Sequence, residues 1–266
     1  MNRTEKKMVE ILERGKLEHG VVSVKAEFEA EGTRTDELLR LVDVSRAAGL
    51  PITLKIGGCE AIRDMLEAKQ IGVKYIVAPM IETPYALSKY IQAKNLVFDD
   101  SEQDDMRFLF NMETITAYNH RVEMLEMAKE NLAGIVFGRV DFSGSLGLGR
   151  AGIESSQITE MVQEVARGCK GANLDLVMGG AISSDALANV KSVQQIHLSR
   201  FETRKVVFAG HSVTSQNIQD GLLNAVHFEL LWLTNKRDYY ANITKEDQSR
   251  IEMLESRWNV LGKEVL

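Results

Sequence analysis

Short apolar runs alternate with helix-like segments along most of this 266-residue chain, from about residue 21 to residue 209. The runs are nearly continuous in hydrophobicity, which is typical of strands that are covered on both faces. Eight of them predict strands: Val21–Phe28, Ile52–Ile56, Tyr75–Ala78, Phe108–Met112, Gly134–Phe137, Leu174–Met178, Gln195–Leu198 and Lys205–Ala209. Eight strands separated by helices favour closure of a parallel sheet into an α/β barrel of the TIM (β/α)8 type, which takes about 250 residues.

The strand count leaves some alternatives open. The last two runs are six residues apart, so one of them could form a hairpin or an extra strand, and residues 95–98 are a ninth candidate. The helices between the runs are better marked. One is predicted over Thr35–Arg46 with Gly49 as a stop, and another over Ser155–Arg167, ending at Gly168.

We expect residues 1–266 to form one domain, with an N-terminal helix in 1–20, the barrel in 21–210 and long C-terminal helices in 216–262. The C-terminal part is predicted to contain two helices, the second over Asp247–Val260. Apolar residues recur at helical spacing in the first of them: Ile218, Leu222, Leu223, Val226, Leu230 and Leu233. Such a stripe is buried either on the chain's own barrel or at a subunit interface. We therefore predict a homo-oligomer, a trimer or a hexamer.

Composition narrows the function classes. The net charge is −6 and no Lys/Arg run stands out, which argues against a nucleic-acid partner. The two cysteines form no CxxC pair, so neither a disulfide framework nor a structural zinc site is expected. The most apolar stretch, Ala225–Thr234, is shorter than the roughly 20 residues of a membrane span. These features predict a cytoplasmic protein without a membrane partner.

Two acidic residues, Glu113 and Asp141, each close an apolar strand-like run. A helix-length segment separates them, so a β-α-β unit would place both carboxylates at the same end of a parallel sheet. Two converging carboxylates are what a hard divalent cation needs. By spacing alone, a solvated strand end and a helix cap explain them equally well. The glycines that follow Asp141 favour the metal, because they let a backbone approach a ligand closely.

The segment Gly147–Gly152 matches the dinucleotide-binding pattern G-x-G-x-x-G. In such a site the first glycine directly follows the strand, and an acid lies at the tip of the next strand. Here the first glycine lies six residues beyond Asp141, and the next strand ends in Gly179-Gly180. A nicotinamide site is therefore not predicted. A phosphate-binding role for the loop Gly144–Gly152 stays open as a separate alternative.

Three segments, Tyr75-Ile-Val-Ala-Pro-Met-Ile-Glu-Thr, Phe110-Asn-Met-Glu-Thr and Gly138-Arg-Val-Asp-Phe-Ser-Gly-Ser-Leu-Gly, resemble the HpcH/HpaI aldolase and citrate lyase β-subunit family. Its members are phosphoenolpyruvate/pyruvate-type barrels that break carbon–carbon bonds with Mg²⁺ or Mn²⁺. The resemblance covers roughly residues 50–150 well and the remainder loosely. It implies an enzyme that acts on a small 2-oxo acid or a CoA thioester through a metal-stabilised enolate.

The resemblance also implies roles for single residues. Glu113 and Asp141 match the two metal ligands, and the backbone amides of Gly138, Arg139 and Val140 match the receptor of the substrate carboxylate. The side chain of Arg139 is a further candidate for anion binding. Two other positions complete the predicted site. Lys55 stands where the aldolases carry an arginine, and Pro79 matches the substrate mouth.

The catalytic base is where the chain departs from the family. The aldolases carry an acid-histidine pair after an early strand, whereas this chain has Glu27-Phe28-Glu29-Ala30-Glu31. Glu27 or Glu29 could replace the histidine, or both could be solvated acids. His197 is the only histidine that ends a predicted strand. The alternative to a lyase is therefore a barrel that binds the metal and the oxo acid but has lost the base.

Overall fold

The computed structural model describes residues 1–264 of the chain. Eight strands form a closed barrel in chain order, as predicted. The strands are β1 (Val21–Glu27), β2 (Ile52–Lys55), β3 (Tyr75–Ala78), β4 (Arg107–Met112), β5 (Gly134–Gly138), β6 (Asp175–Gly179), β7 (Arg200–Glu202) and β8 (Val206–Ala209). Neighbouring strands from β1 to β7 pair in parallel.

Helices surround this barrel and precede and follow it. They are α1 (Arg3–Glu18), α2 (Thr35–Ala47), α3 (Ile62–Ile71), α4 (Pro84–Val97), α5 (Asp100–Asp105), α6 (Ile115–Asn119), α7 (Arg121–Asn131), α8 (Arg139–Ser145), α9 (Ser156–Ala172), α10 (Leu187–Gln194) and α11 (Ile218–Glu264). None of the described helices is both long and apolar enough to cross a membrane.

Local sequence explains where several helices begin and end. Asn2 and Glu5 form a capping box at the start of α1, which satisfies two backbone N–H groups. The helix α4 begins with the Thr83 cap and Pro84 in its first turn. The expected stop at Gly168 is wrong, because α9 continues to Ala172 and ends at Asn173, whose φ is 55°. Gly168 instead lets α7 pack closely, since a side chain there would meet Leu125.

The seventh strand lies later than predicted. Residues Gln195–Leu198 connect α10 to β7 rather than forming a strand, and residues 95–98 contain the end of α4. The strand β7 forms a tight hairpin with β8, so β8 runs antiparallel to both β7 and β1. The hairpin that the sequence left open for the last two runs is therefore present, and β8 is the antiparallel strand of the barrel. His197 consequently ends no strand, and its Nε2 lies 2.8 Å from the carbonyl oxygen of Leu174.

The core lies mainly between the outer faces of the strands and the helices. A small apolar layer fills the inside of the barrel, and it consists of Val77, Leu109, Val136 and Val177, with Tyr75 packed against it. Beyond this layer, charged and polar side chains occupy the end of the barrel where β1 to β7 finish. Active sites of α/β barrels lie at that end.

Candidate active site

Glu113 directly follows β4 and is the most buried acid at this end of the barrel, with only 2% of its surface exposed. Its carboxylate accepts two hydrogen bonds, one from Asn111 Nδ2 at 2.7 Å and one from the backbone N–H of Met80 at 2.9 Å. Lys55 Nζ lies 3.7 Å from Oε2. Burial raises the pKa of Glu113, and the ammonium of Lys55 only partly opposes this effect.

Met80 holds Glu113 from the neighbouring strand at a conformational cost. Its φ is 49°, in the left-handed region of backbone conformation that residues other than glycine rarely adopt. The residue before it, Pro79, is buried just beyond the end of β3. Backbone strain of this kind persists where the surrounding structure holds it, and it concentrates at functional sites.

Asp141 lies in the first turn of α8 and is exposed. The prediction that it closes a strand is wrong, because β5 ends at Gly138 and the chain turns at once into the helix. Its carboxylate is still close enough to Glu113 for its charge to contribute to the raised pKa of that group. The strands β4 and β5 are neighbours, so the two acids lie at the same end of the barrel.

Gly138 leaves room for Glu113. A side chain at this position would have its Cβ 2.8 Å from Glu113 Oε2 and 2.9 Å from Glu113 Cβ. Because the second of these atoms is attached directly to the backbone, it cannot easily move away. Glycine at the end of β5 therefore permits the close approach of β4 and β5 at the point where the two acids lie.

Lys55 is the last residue of β2 and is buried. Its Nζ lies 2.9 Å from Glu29 Oε2, in addition to its contact with Glu113. Burial disfavours the charged ammonium, but Glu113 and Glu29 outweigh burial and raise the pKa of Lys55. Lys55 therefore stays positively charged next to the two acids.

Glu27 belongs to a second group of charges inside the barrel. Its Oε1 lies 3.0 Å from Lys25 Nζ, and Lys25 Nζ also donates to Glu202 Oε1 at 2.5 Å. Burial acts to raise the pKa of Glu27, but the ammonium groups of Lys25, Lys55 and Lys205 outweigh it and lower that pKa. Glu27 is therefore a weak proton acceptor, while Glu29 lies at the mouth with about a quarter of its side chain exposed.

The side chain of Arg139 points away from the two acids. It is almost fully buried, and its guanidinium donates to Glu154 Oε1 at 2.9 Å and to the carbonyl oxygen of Gly180 at 2.7 Å. These contacts hold the segment after β5 against the segment after β6. The backbone of Arg139 is thus the part that remains near Glu113 and Gly138.

Sequence reasoning missed Lys25, Asn111 and Glu202, which position the predicted residues. Lys25 and Glu27 alternate with apolar residues along β1, so their period of two is a signal for side chains that point into the barrel. Asn111 precedes Glu113 at the same spacing. For Glu202 there was no such signal, because β7 has only three residues.

A closed α/β barrel with acids and a lysine at the carboxyl ends of its strands is the architecture of the barrel enzymes. Within that class the particular group is shown by sequence. The chain belongs to the HpcH/HpaI aldolase/citrate lyase family, whose model matches residues 16–207. The family is made up of lyases, aldolases and related enzymes.

Solved structures share the fold at low sequence identity. The HpcH/HpaI aldolase of Desulfitobacterium hafniense DCB-2 is 14% identical with a TM-score of 0.59, over 74% of this chain and 82% of that chain. A family protein from Burkholderia cenocepacia J2315 is 12% identical with a TM-score of 0.59, over 83% and 90%. The magnesium/glyoxylate complex of Haloferax volcanii malate synthase is 14% identical with a TM-score of 0.54, over 74% and 65%. No curated protein sequence matches the chain significantly.

If Glu113 holds a divalent cation, replacing Gly138 with alanine is expected to weaken binding of Mn²⁺ at least tenfold, because the added Cβ displaces Glu113. It should also lower the free energy of unfolding by about 1–3 kcal/mol, the usual cost of overpacking. Isothermal titration with Mn²⁺ and denaturant unfolding measure the two effects. Gly144→Ala is the matched control, since a Cβ at Gly144 meets nothing within 4 Å. Equal Mn²⁺ affinities in both variants would show that Gly138 does not shape the metal site.

Proposed function

We propose that the protein is a divalent-metal-dependent carbon–carbon lyase that acts on a small 2-oxo acid or a related CoA thioester through an enolate. One observation carries this proposal. Glu113 is a buried carboxylate beside the cationic Lys55, and the charge of Asp141, in the first turn of α8, contributes to its raised pKa. Two carboxylates at the mouth of a barrel suit a bound cation.

The donor chemistry of this pair fits Mg²⁺ or Mn²⁺. Both ions prefer carboxylate oxygen, and Mg²⁺ usually keeps several waters beside one or two carboxylates. Among residues 1–264 no three or more His, Cys, Asp and Glu side chains are arranged to hold a metal. We propose Glu113 and Asp141 as the protein ligands. When bound, the ion would offset the negative charge that develops as the bond next to the carbonyl breaks.

The backbone after β5 supports a site for the substrate carboxylate. A side chain at Gly180 would lie 2.7 Å from the backbone nitrogen of Val140 and 2.9 Å from that of Arg139. Gly180 has no side chain, so its backbone can pack closely against this segment. Arg139 and Val140 begin α8, and the first N–H groups of a helix have no partner within it, which suits them to bind an anion. We assign Gly138, Arg139 and Val140 to carboxylate binding, with Pro79 at the edge of the pocket.

The charged Lys55 would stabilise the enolate oxygen, and its raised pKa keeps it protonated for that role. Of the two candidate bases, Glu29 is the better one. Glu27 is held between cations that lower its pKa, and a carboxylate with a low pKa removes a proton poorly. We therefore propose Glu29 as the proton acceptor. Glu27 instead pairs with Lys25, which also binds Glu202 and so links β1 to β7.

Proton exchange tests this proposal without knowledge of the second substrate. In D₂O with Mg²⁺ or Mn²⁺, the enzyme is expected to replace the methyl protons of pyruvate or of acetyl-CoA with deuterium, measured by ¹H NMR. Glu29→Gln should slow exchange by about 10²–10⁴-fold, the usual contribution of a general base. It should leave Mn²⁺ affinity unchanged. Glu60→Gln is the control, since Glu60 is exposed after β2 and pairs with Lys89.

A second candidate function is a barrel that binds the metal and the oxo acid without turnover. It is favoured by one observation, that both candidate bases lie within 3.0 Å of a lysine ammonium. Tight binding of Mn²⁺ and pyruvate with no exchange from either probe would support this binding protein. Exchange that needs the metal and Glu29 would exclude it.

A further inference from the structure

The helix α11 is 47 residues long, but only its first half lies on the barrel. Its inner face is buried there through Ile218, Leu222, Ala225, Phe228 and Trp232. Every residue from 241 to 261 is exposed, so the second half projects into solvent as a single helix. In proteins most of the stability of a helix comes from packing of an apolar face rather than from helix propensity. Residues 241–261 have no such packing in the part of the chain that the structure describes, so a partner would stabilise them.

The outward face of α11 carries an apolar stripe along both halves. On the first half, Leu223, Val226, Leu230 and Leu233 each expose more than half of their surface. On the second half, the same stripe continues with Ile251, Leu254, Trp258 and Leu261, which are also exposed. The spacing alternates between three and four residues throughout, with Arg237, Tyr240, Thr244 and Asp247 in the intervening positions. Of these, Tyr240 donates a hydrogen bond to Glu37 of its own chain, at 2.7 Å. A repeat of this period predicts a coiled-coil seam.

We propose that α11 binds α11 of a second copy of this chain as an antiparallel two-stranded coiled coil centred near residue 242. In this register each apolar residue of one half faces an apolar residue of the other half in the second copy. The facing pairs are Leu223 with Leu261, Val226 with Trp258, Leu230 with Leu254, and Leu233 with Ile251. The interface is the same on both copies, as a two-fold axis requires.

Charge complementarity supports the antiparallel direction. At the polar centre of the seam, Arg237 faces Asp247 of the second copy, and symmetry produces this pair twice. A parallel pair would instead place Arg237 against Arg237 and Asp247 against Asp247, which is unfavourable. In the part of its own chain that the structure describes, Arg237 forms an ion pair with the exposed Asp238, at 2.8 Å, and such a surface pair contributes little.

The flanking charges form one favourable and one unfavourable pair in this register. Glu229 would lie beside Arg257 of the second copy. Lys236 would lie beside Arg250, but Lys236 is already bound to Glu37 of its own chain, with Nζ 3.0 Å from Oε2. This intrachain pair reduces the repulsion between the two positive groups.

A fold-back of α11 within one chain is disfavoured by its sequence. Neither glycine nor proline occurs between Leu222 and Leu261, so nothing favours a turn near the centre of the helix. The proposal goes beyond the proposed function, because it concerns the face opposite the docked side of α11. It also narrows the expected oligomers to those that contain this two-fold, which a hexamer can accommodate.

Reversing the charges of the central pair tests the register. The association of the full chain is measured by sedimentation velocity, which gives the mass of the oligomer. Arg237→Asp and Asp247→Arg are each expected to weaken the two-fold association at least tenfold, because like charges then face each other twice. The double variant should return to within about threefold of the wild type. Lys245→Glu, on the outer side of the helix, should change nothing. A monomeric wild type, or single reversals without effect, would overturn the proposal.

Disulfide cross-linking tests the direction of the pair. In a Cys59→Ser background, Leu230→Cys with Leu254→Cys should give a covalent dimer on a non-reducing gel, whereas Leu254→Cys alone should not. The two positions are about 36 Å apart in one straight helix, so they cannot bond within it. Dimers from the single variant would show a parallel pair, and an oxidised monomer would show a fold-back. Either result, or no cross-link at all, would overturn the proposal.

Discussion

Replacing Glu113 with glutamine is expected to lower the metal-dependent exchange of substrate protons by about a thousandfold. The amide keeps the shape of the side chain but removes the charge that would hold the cation, and about 4 kcal/mol of transition-state stabilisation is lost. Mn²⁺ affinity, measured by isothermal titration, should fall in parallel. Asp141→Asn is expected to behave in the same way, and Glu60→Gln serves as the unaffected control.

Thermal stability distinguishes a metal ligand from a structural residue at position 113. Burial raises the pKa of Glu113, so its ionised form lowers the stability of the metal-free protein. The stabilising protonated form is lost as the pH rises from the ordinary glutamate value through the raised pKa. At neutral pH Glu113→Gln should therefore leave the Tm nearly unchanged or raise it slightly. A large fall in Tm with Mn²⁺ binding intact would show a structural role instead.

Replacing Lys25 with methionine is expected to lower the free energy of unfolding by about 3–5 kcal/mol, the cost of removing one partner from a buried ion pair. Lys25 is buried between Glu27 and Glu202, and its removal leaves two carboxylates without their cation. Urea unfolding measures the change. Lys7→Met, on the exposed side of α1, is the control for loss of a lysine charge.

Combined substitutions and pH test the same network. Lys25→Met with Glu27→Gln and Glu202→Gln should recover most of the lost stability, because no unpaired charge then remains.

The pKa of Glu27 is lowered, so its contribution to stability is present above the ordinary glutamate pKa and is lost as the pH falls through its folded value. The pKa of Lys25 is raised by Glu202 and Glu27 against the effect of burial, so its contribution is lost only at high pH. Without Lys25, burial is less opposed and the pKa of Glu27 rises in the variant. The deficit of Lys25→Met should therefore be full at neutral pH and shrink as the pH falls and this carboxylate takes up a proton. A deficit below 1 kcal/mol would contradict this account.

The barrel was predictable because most of its strands are continuous apolar runs, a pattern that few other structures produce. The seventh strand was not. In Arg200-Phe201-Glu202 only the central residue is apolar, whereas Gln195–Leu198 is more apolar and yet lies between α10 and β7. A three-residue strand takes its conformation from pairing with its neighbours, and this pairing is absent from the local sequence.

The C-terminal helix shows a different source of error. The polar residues between Leu233 and Ile251 suggested a break between two helices, but the structure has one helix through them. Because this segment contains neither glycine nor proline, polarity alone does not end a helix. The first part of this segment still contacts the chain's own helices, where Lys236 and Tyr240 bind Glu37. Residues are exposed throughout only from 241 to 261.

At the candidate site, the position of the two acids could be predicted from strand order, since carboxyl ends of neighbouring parallel strands meet. The partners of these acids could not. Met80 binds Glu113 through its backbone in a left-handed conformation, and Arg139 turns its side chain to Glu154. Such contacts depend on how the loops after β3 and β5 pack, which the spacing of residue types does not encode.

The position of a bound metal tests the central claim most directly. A crystal soaked with Mn²⁺ and oxalate, an enolate mimic, locates the ion by its anomalous scattering. The proposed function predicts a single strong peak between Glu113 and Asp141, with oxalate directed towards the backbone amides of Arg139 and Val140. A peak elsewhere in the barrel, or none at this pair under saturating Mn²⁺, would contradict it.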